Sequence, residues 1–74
     1  MISKKEALYA RITLFKYALK DCIKEISILE NNINIDANSK LSKIKIIREE
    51  INKIANQIDK VKKEIILVNS YDVN

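Results

Sequence analysis

The stretch that decides the fold is residues 44–68, IKIIREEINKIANQIDKVKKEIILV. Apolar residues recur in it at alternating steps of three and four, which is the heptad spacing of a helix that packs along another helix. We call this apolar edge the seam of helix 2. Its members are all β-branched: Ile44, Ile47, Ile51, Ile54, Ile58, Val61, Ile65 and Val68. The unbroken repeat predicts a long coiled-coil helix over about residues 40–68.

A second heptad series precedes the first and predicts helix 1 over about residues 4–31. Ser3 marks its start, because Glu6 follows three residues later and the pair fits a capping box. The seam of helix 1 consists of Leu8, Ile12, Phe15, Leu19, Cys22, Ile26 and Leu29, and the spacing continues to Ile33.

A polar segment, NNINIDANS at residues 31–39, separates the two series. Asn, Asp and Ser compete for backbone hydrogen bonds and favour turns and caps, so we expect a turn at about residues 32–39. Asn31 or Asn32 is expected to end helix 1 in the left-handed conformation that usually needs glycine. Three residues are candidates for the cap of helix 2: Asp36, Asn38 and Ser39. Residues 69–74 are expected to form a short tail.

The alternative to a hairpin is one continuous helix. Ile33 and Ile44 are eleven residues apart, which is one stutter in a heptad frame that an unbroken helix absorbs. The poor helix formers between them cost about 3–4 kcal/mol relative to alanine. We therefore favour an all-α antiparallel hairpin that associates into a four-helix bundle, over a single long helix with a stutter near residues 33–44.

The composition excludes most catalytic chemistry. The 74 residues include no His and no Gly, and Cys22 is the single cysteine. A serine or cysteine nucleophile then lacks its usual base, and a phosphate-cradling glycine loop is impossible. One cysteine leaves too few ligands for structural zinc. We expect no enzyme, no metal and no cofactor, with Cys22 packed in the seam as a small apolar residue.

The first half of helix 1 carries more apolar surface than one seam needs. Between residues 7 and 19 only Arg11, Thr13 and Lys16 are polar, and a helix that is apolar on two faces usually has two neighbours. The end of helix 2 adds apolar residues outside its seam. The candidate interface that results is Ala10, Leu14, Tyr17, Ala18, Ile66 and Leu67. The expected partner is a second copy of the chain or another helical protein.

Lysines form a second kind of candidate surface. The net charge is +4, and lysines follow each other at helical spacing in helix 1 and again at the start of helix 2. Convergent positive charge of this kind suits contact with nucleic-acid phosphates. The candidate contacts are Lys16, Lys20, Lys24, Lys43 and Lys45. Neighbouring acidic residues weaken the local field, so an ordinary solvated face is favoured over a nucleic-acid site.

The cellular setting follows from what is absent. No apolar run reaches the ~18 residues that cross a membrane, and charged residues interrupt the apolar start expected of a signal peptide. We expect a cytoplasmic protein, in the host cytoplasm if it comes from a phage or virus. The richness in Ile, Lys and Asn indicates an AT-rich genome.

The layout resembles the small dimeric helical hairpins of plasmid copy control and the small helical chaperones of bacterial secretion systems. The likeness is one of architecture across most of the chain, without a family-specific motif, so no functional residue carries over. The function we expect is protein–protein interaction by helix packing, as an adaptor, chaperone, inhibitor or assembly subunit. The alternative is a small nucleic-acid-binding regulator of plasmid, phage or viral origin.

Overall fold

The computed structural model describes residues 3–72, with side chains up to residue 70. Two α-helices account for nearly all of them, α1 at Lys4–Asn31 and α2 at Ala37–Asp72, and this part of the chain contains no strand. The chain reverses direction between the helices, and they pack against each other. The protein is therefore all-helical and forms a two-helix hairpin, and the described residues do not form a single continuous helix.

The start of α1 is fixed by Ser3. Its backbone is extended, with φ −71° and ψ 160°, and its hydroxyl oxygen accepts a hydrogen bond from the Glu6 N–H at 3.1 Å. The Ala7 N–H donates to the Ser3 carbonyl at 3.0 Å. The side chain and carbonyl of one residue thus satisfy two of the amide groups that open the helix.

The turn uses asparagine differently from the expectation. Asn32 follows α1 in an extended conformation, with φ −84° and ψ 108°, and no described residue has a positive φ. Its side-chain oxygen accepts the Asn34 N–H at 2.9 Å, and its own N–H donates to the Leu29 carbonyl at 3.2 Å. A local asparagine turn therefore ends α1 without the left-handed residue. Lys40 also donates from Nζ to the Glu30 carbonyl at 3.3 Å.

The boundaries of α2 differ from the expected 40–68 at both ends. Asp36 caps the helix, because its carboxylate accepts the Ser39 N–H at 2.6 Å and its carbonyl accepts the Lys40 N–H at 3.0 Å. This cap moves the start to Ala37 and shortens the turn to residues 32–36. At the other end the helix continues through the first part of the expected tail to Asp72. Residues 73 and 74 lie outside the described residues.

The helices pack antiparallel along their seams. Leu8 and Ile12, near the start of α1, pack against Val61 and Ile65, near the end of α2. Two partly buried side chains extend this cluster, Phe15 and Val68. Val61, at 1% exposure, is the most deeply enclosed. The core is therefore densest at the end of the hairpin that holds the chain termini, which we call the terminal end; the opposite end is the turn end.

The seam residues are buried to different degrees. Seven are buried: Leu8, Ile12, Ile44, Ile54, Ile58, Val61 and Ile65. Eight are half-buried: Phe15, Leu19, Cys22, Ile26, Leu29, Ile47, Ile51 and Val68. Ile33, which continued the heptad spacing in the sequence, lies in the turn and is 93% exposed, because α1 ends before it.

The hairpin is a single layer of two helices. It measures 58 × 20 × 13 Å, so its thickness is close to the ~10–12 Å diameter of one helix with its side chains. One helix covers the seam of the other, and nothing within the described residues covers the remaining faces. Neither helix holds, over those residues, an apolar stretch long enough to cross a bilayer.

Candidate interaction surfaces

Helical periodicity divides the surface outside the seam into two flanks and an outer face. With the seam at heptad positions a and d, positions g and c lie on one side of it, e and b on the other, and f opposite. In an antiparallel pair, like positions of the two helices meet on the same side. The g and c side, which we call the neutral flank, consists of Ala7, Arg11, Leu14, Ala18, Asp21, Glu25, Ile28, Lys43, Ile46, Glu50, Lys53, Gln57, Lys60, Glu64 and Leu67.

The e and b side differs in charge, and we call it the basic flank. It consists of Tyr9, Thr13, Lys16, Lys20, Ile23, Ser27, Glu30, Leu41, Lys45, Arg48, Asn52, Ala55, Asp59, Lys62 and Ile66. Five of these side chains are basic and two are acidic, whereas the neutral flank has four of each sign. The two flanks therefore present different fields to an approaching molecule.

Shallow grooves between the helices follow this division. Tyr9, Lys62 and Ile66 line one at the terminal end of the basic flank, and Glu30 and Arg48 line another at its turn end. A third groove, on the neutral flank, joins Glu25 and Ile28 of α1 to Lys43 and Ile46 of α2. The grooves thus confirm which residues of α1 and α2 share a side of the hairpin.

Both flanks carry large apolar side chains that the hairpin leaves in water. On the neutral flank Leu14 is 68% and Leu67 59% exposed, and on the basic flank Ile23 is 60% and Ile66 63% exposed. Four more are exposed in the same way: Ile28 and Ile46 on the neutral flank, and Tyr9 and Leu41 on the basic flank. Apolar exposure therefore does not distinguish the flanks, and charge does.

The structure separates the candidate interface residues instead of joining them. Leu14, Leu67 and the half-buried Ala18 lie on the neutral flank, whereas Ile66 lies on the basic flank. The remaining two, Ala10 and Tyr17, are exposed on the outer face. Neighbouring helix residues point about 100° apart, at 3.6 residues per turn, so Ile66 and Leu67 cannot serve one contact surface on the same side.

Sequence reasoning missed the turn end of the neutral flank. Ile28 and Ile46 line one groove there, together with Glu25 and Lys43. Both isoleucines occupy c positions, so the heptad frame carried the signal. In the sequence each of them adjoins a seam residue, Leu29 or Ile47, and so looks like part of the seam.

The lysine candidates are also divided. Lys16, Lys20 and Lys45 lie on the basic flank, Lys24 on the outer face and Lys43 on the neutral flank. The Lys20 ammonium lies 5.7 Å from the centre of the Tyr17 ring, within the range of a cation–π contact. Thr13, Lys16, Tyr17 and Lys20 together line a small exposed depression on α1.

Cys22 is half-buried in the seam, on the side that adjoins the neutral flank. Burial raises the pKa of its thiol, and the carboxylates of Glu25, Glu50 and Asp21 raise it further, in that order. The thiol is therefore held in its protonated form at neutral pH, which is a poor setting for a nucleophile. The same carboxylates show that α1 and α2 bring acidic side chains together on this flank.

The accessible surface of the whole chain is large for its mass. It amounts to 6076 Å², whereas a folded monomer of 8.6 kDa typically exposes about 4,700 Å². The difference of about 1,400 Å² reflects the single-layer shape, which leaves both flanks uncovered.

The described residues contain no group of three or more His, Cys, Asp or Glu side chains placed to hold a metal ion. No protein-family model, curated protein or solved structure matches the chain.

Proposed function

We propose that this protein is a non-catalytic interaction module that works by helix packing, as an adaptor, chaperone, inhibitor or assembly subunit. It acts in the cytoplasm, where a single cysteine stays reduced, by closing a four-helix bundle with a second copy or by pairing with a helix of another protein. The observation that carries the proposal is the surplus of apolar surface. Among the described residues seven apolar side chains are buried in the hairpin, while ten large ones are exposed.

The surplus has an energetic consequence. Burying a Leu or Ile side chain contributes about 1.5–3 kcal/mol, so covering even one flank adds several such contributions to the stability of the hairpin. Exposed apolar patches of this extent usually mark surfaces that bind other proteins. A helix that docks on a flank would also reduce the accessible surface toward that of an ordinary monomer.

Site-specific photo-crosslinking in the cells that express the protein tests the proposal. A photoreactive residue at Ile28 reports on the neutral flank, and one at Ile23 reports on the basic flank. Lys63, an exposed residue on the outer face of α2, is the matched control. We expect a discrete crosslinked product from at least one flank and none above background from Lys63. Background labelling at all three positions would contradict the proposal.

A second candidate function, nucleic-acid binding, is supported by the charge of the basic flank. Five of its side chains are basic and two are acidic. Exposed tyrosines lie near lysines, Tyr9 on this flank and Tyr17 beside it on the outer face. Phosphate contacts need such an excess of positive charge, and aromatic rings beside it provide surfaces on which bases stack.

Salt-dependent retention on a heparin or nucleic-acid column separates this second function from the first. Replacing Lys16, Lys20 and Lys45 by Glu should lower the salt concentration at which the protein elutes. The slope of log affinity against log salt should fall by about 2–3 if each lysine meets a phosphate. The matched variant replaces Lys43, Lys53 and Lys60 on the neutral flank and should be retained more strongly. If the parent protein is not retained at low salt, nucleic-acid binding is excluded.

A further inference from the structure

We propose that a second copy of this chain packs on the neutral flank, with the two hairpins parallel, terminal end beside terminal end. The inference rests on the interaction function proposed above and specifies its partner and geometry. In the assembly α1 of each copy lies on α2 of the other, which completes a four-helix bundle around a two-fold axis along the hairpins. Two-fold dimers of this kind are the commonest oligomers.

Charge selects the neutral flank over the basic flank. When two identical copies meet through the same surface, every excess charge on that surface meets its own kind. The basic flank has five positive and two negative side chains, so pairing it with itself brings a net positive charge against a net positive charge. The neutral flank has four of each sign and carries no such penalty, while its apolar residues are as exposed as those of the basic flank.

The arrangement of charges along the neutral flank selects the parallel orientation. Ile28 lies at the height of Ile46 in the groove at the turn end. One heptad toward the terminal end, α1 reaches Asp21 and α2 reaches Lys53. A two-fold axis along the hairpin brings equal heights together, so Asp21 meets Lys53 of the second copy, and Ile28 meets Ile46 of the second copy.

The same pairing continues toward the termini. Two heptads further on, Ala7 and Leu67 share one height, and at the adjoining g positions Arg11 and Glu64 share another. These pairs match in kind, apolar with apolar or basic with acidic. The heptad between them sets the apolar Leu14 against Lys60, whose aliphatic stem can cover it while its ammonium group stays in water. One layer opposes like charges, because Glu25 and Glu50 share a height; both act on Cys22.

The other possible two-fold axis runs across the hairpins and makes them antiparallel. It would place α1 on α1 and α2 on α2, so that near the middle of the bundle Lys53 would oppose Lys60 and Leu14 would oppose Asp21. Glu50 would also oppose Glu64, whereas Arg11 would oppose Glu25 in the one favourable layer. Parallel packing therefore has one unfavourable charged layer and two favourable ones, whereas antiparallel packing has two unfavourable layers and one favourable.

The area required agrees with a dimer. A stable interface buries about 1,600 Å² in total, or ~800 Å² on each partner. The excess exposed surface of the hairpin, about 1,400 Å², is larger than the ~800 Å² that each partner of such a dimer buries.

Reciprocal charge reversal tests the pairing. Asp21→Lys places lysines opposite each other in its own dimer, and Lys53→Asp places aspartates opposite each other. We expect each variant alone to associate about 10-fold more weakly than the parent, from two lost pairs of exposed charges. An equimolar mixture restores opposite charges at both contacts, so it should form the mixed dimer with close to the parent dissociation constant.

Matched controls keep the test independent of folding. Asp59→Lys, on the basic flank, and Lys63→Asp, on the outer face, make the same changes of charge away from the contact and should leave the dissociation constant unchanged. Circular dichroism reports whether each chain remains helical. The geometry is overturned if the two neutral-flank variants associate as tightly as the parent, or if their mixture is no tighter than either alone.

An intermolecular distance gives a second, independent readout. Asn38 is exposed at the turn end, and a spin label there, in the Asn38→Cys chain that also carries Cys22→Ala, reports on relative orientation. Parallel packing places the two labels about 15–30 Å apart, from the ~8–10 Å spacing of packed helices. Antiparallel packing places them more than about 50 Å apart, at 1.5 Å per residue, and that distance would overturn the proposal.

The experimental outcomes distinguish failure of this inference from failure of the proposed function. A parent chain that stays monomeric at high micromolar concentration overturns self-association. If Ile28 then crosslinks to a different protein in cells, the interaction function stands with another partner. If neither flank crosslinks to anything, both are overturned.

Discussion

The two flanks of the hairpin both expose large apolar side chains to water, yet they differ in charge. Ile23 and Ile66 on the basic flank are as exposed as Leu14 and Leu67 on the neutral flank. What separates them is an excess of three positive charges on one side and balanced charge on the other. Apolar surface therefore shows that the hairpin can bind something, and the charges around it decide what binds.

The two flanks are therefore suited to different partners. A balanced flank can meet its own copy, because it carries no excess charge and two of its four carboxylates, Asp21 and Glu64, find a lysine or arginine across the two-fold axis. A basic flank rejects its own copy and suits an acidic partner. In a parallel dimer built through the neutral flank, both basic flanks remain on the outside. Self-association and a second binding event would then use different sides of the same helices.

The largest expected effect comes from placing charge on one flank at a time. Ile28→Glu with Ile46→Glu removes two apolar contacts per chain, each worth about 1.5–3 kcal/mol, and sets carboxylates against carboxylates in their place. We expect the dissociation constant measured by sedimentation to rise at least ~100-fold.

The matched double variant on the other flank is Ile23→Glu with Ile66→Glu, which should associate like the parent. If this variant dissociates while the neutral-flank variant remains associated, the assignment of the flanks is reversed.

Three successive residues of α2 sharpen the comparison through stability. Ile65 is in the seam, Ile66 on the basic flank and Leu67 on the neutral flank. We expect Ile65→Ala to lower the free energy of unfolding by about 2–4 kcal/mol, Leu67→Ala by about 1 kcal/mol because only the assembly covers it, and Ile66→Ala by less than about 0.5 kcal/mol. Chemical denaturation at one protein concentration gives all three values, and equal losses for Ile66 and Leu67 would argue against a covered neutral flank.

A smaller effect is expected at the layer of like charges. Glu25→Gln with Glu50→Gln removes their mutual repulsion and should tighten association roughly 3-fold. The same change removes two of the carboxylates that raise the pKa of Cys22, so its thiol should alkylate faster at a given pH.

Glu49→Gln, an exposed change on the outer face, is the control and should alter neither quantity. Weaker association of the double glutamine variant would show that this layer does not face its copy.

The smallest expected effect lies in the turn and is common to both flanks. The Ser39 N–H holds the pKa of Asp36 below its ordinary value of 3.8, so the cap contributes stability above the pKa of the unfolded carboxyl group. That contribution is lost as the pH falls through the lower, folded pKa. Asp36→Asn keeps a capping oxygen without a titrating group and should remove this acid-linked loss.

Thermal melts from neutral to acid pH compare the parent with the asparagine variant. An unchanged pH dependence in that variant would show that other groups dominate the acid transition. The parent and the Asp36→Asn variant should both associate through the neutral flank.

Much of the architecture was readable from local rules. The heptad spacing placed every seam residue between Leu8 and Leu29 and between Ile44 and Val68 on the side that α1 and α2 share, because burial of an apolar stripe dominates helix packing. Ser3 likewise predicted the start of α1, because its hydroxyl oxygen accepts a hydrogen bond from the first turn of the helix. The start of α2 was set by Asp36 rather than by a later residue, since three capping residues compete within four positions and only the folded turn decides between them.

The candidate interface was less predictable. Apolar residues such as Ile66 and Leu67 look like one cluster in the sequence, yet helical rotation places them on opposite flanks. The charge difference between the flanks emerges only when the positions of both helices are combined, which requires the antiparallel pairing. Ile28 and Ile46 lie 18 residues apart in the sequence and become neighbours through that pairing alone.

The absolute mass of the parent chain in solution, by sedimentation equilibrium from micromolar to millimolar concentration, tests the central claim most directly. A second copy on the neutral flank predicts a mass of twice the 8.6 kDa chain with helicity retained. A well-folded chain that remains at the single-chain mass throughout that range would contradict it.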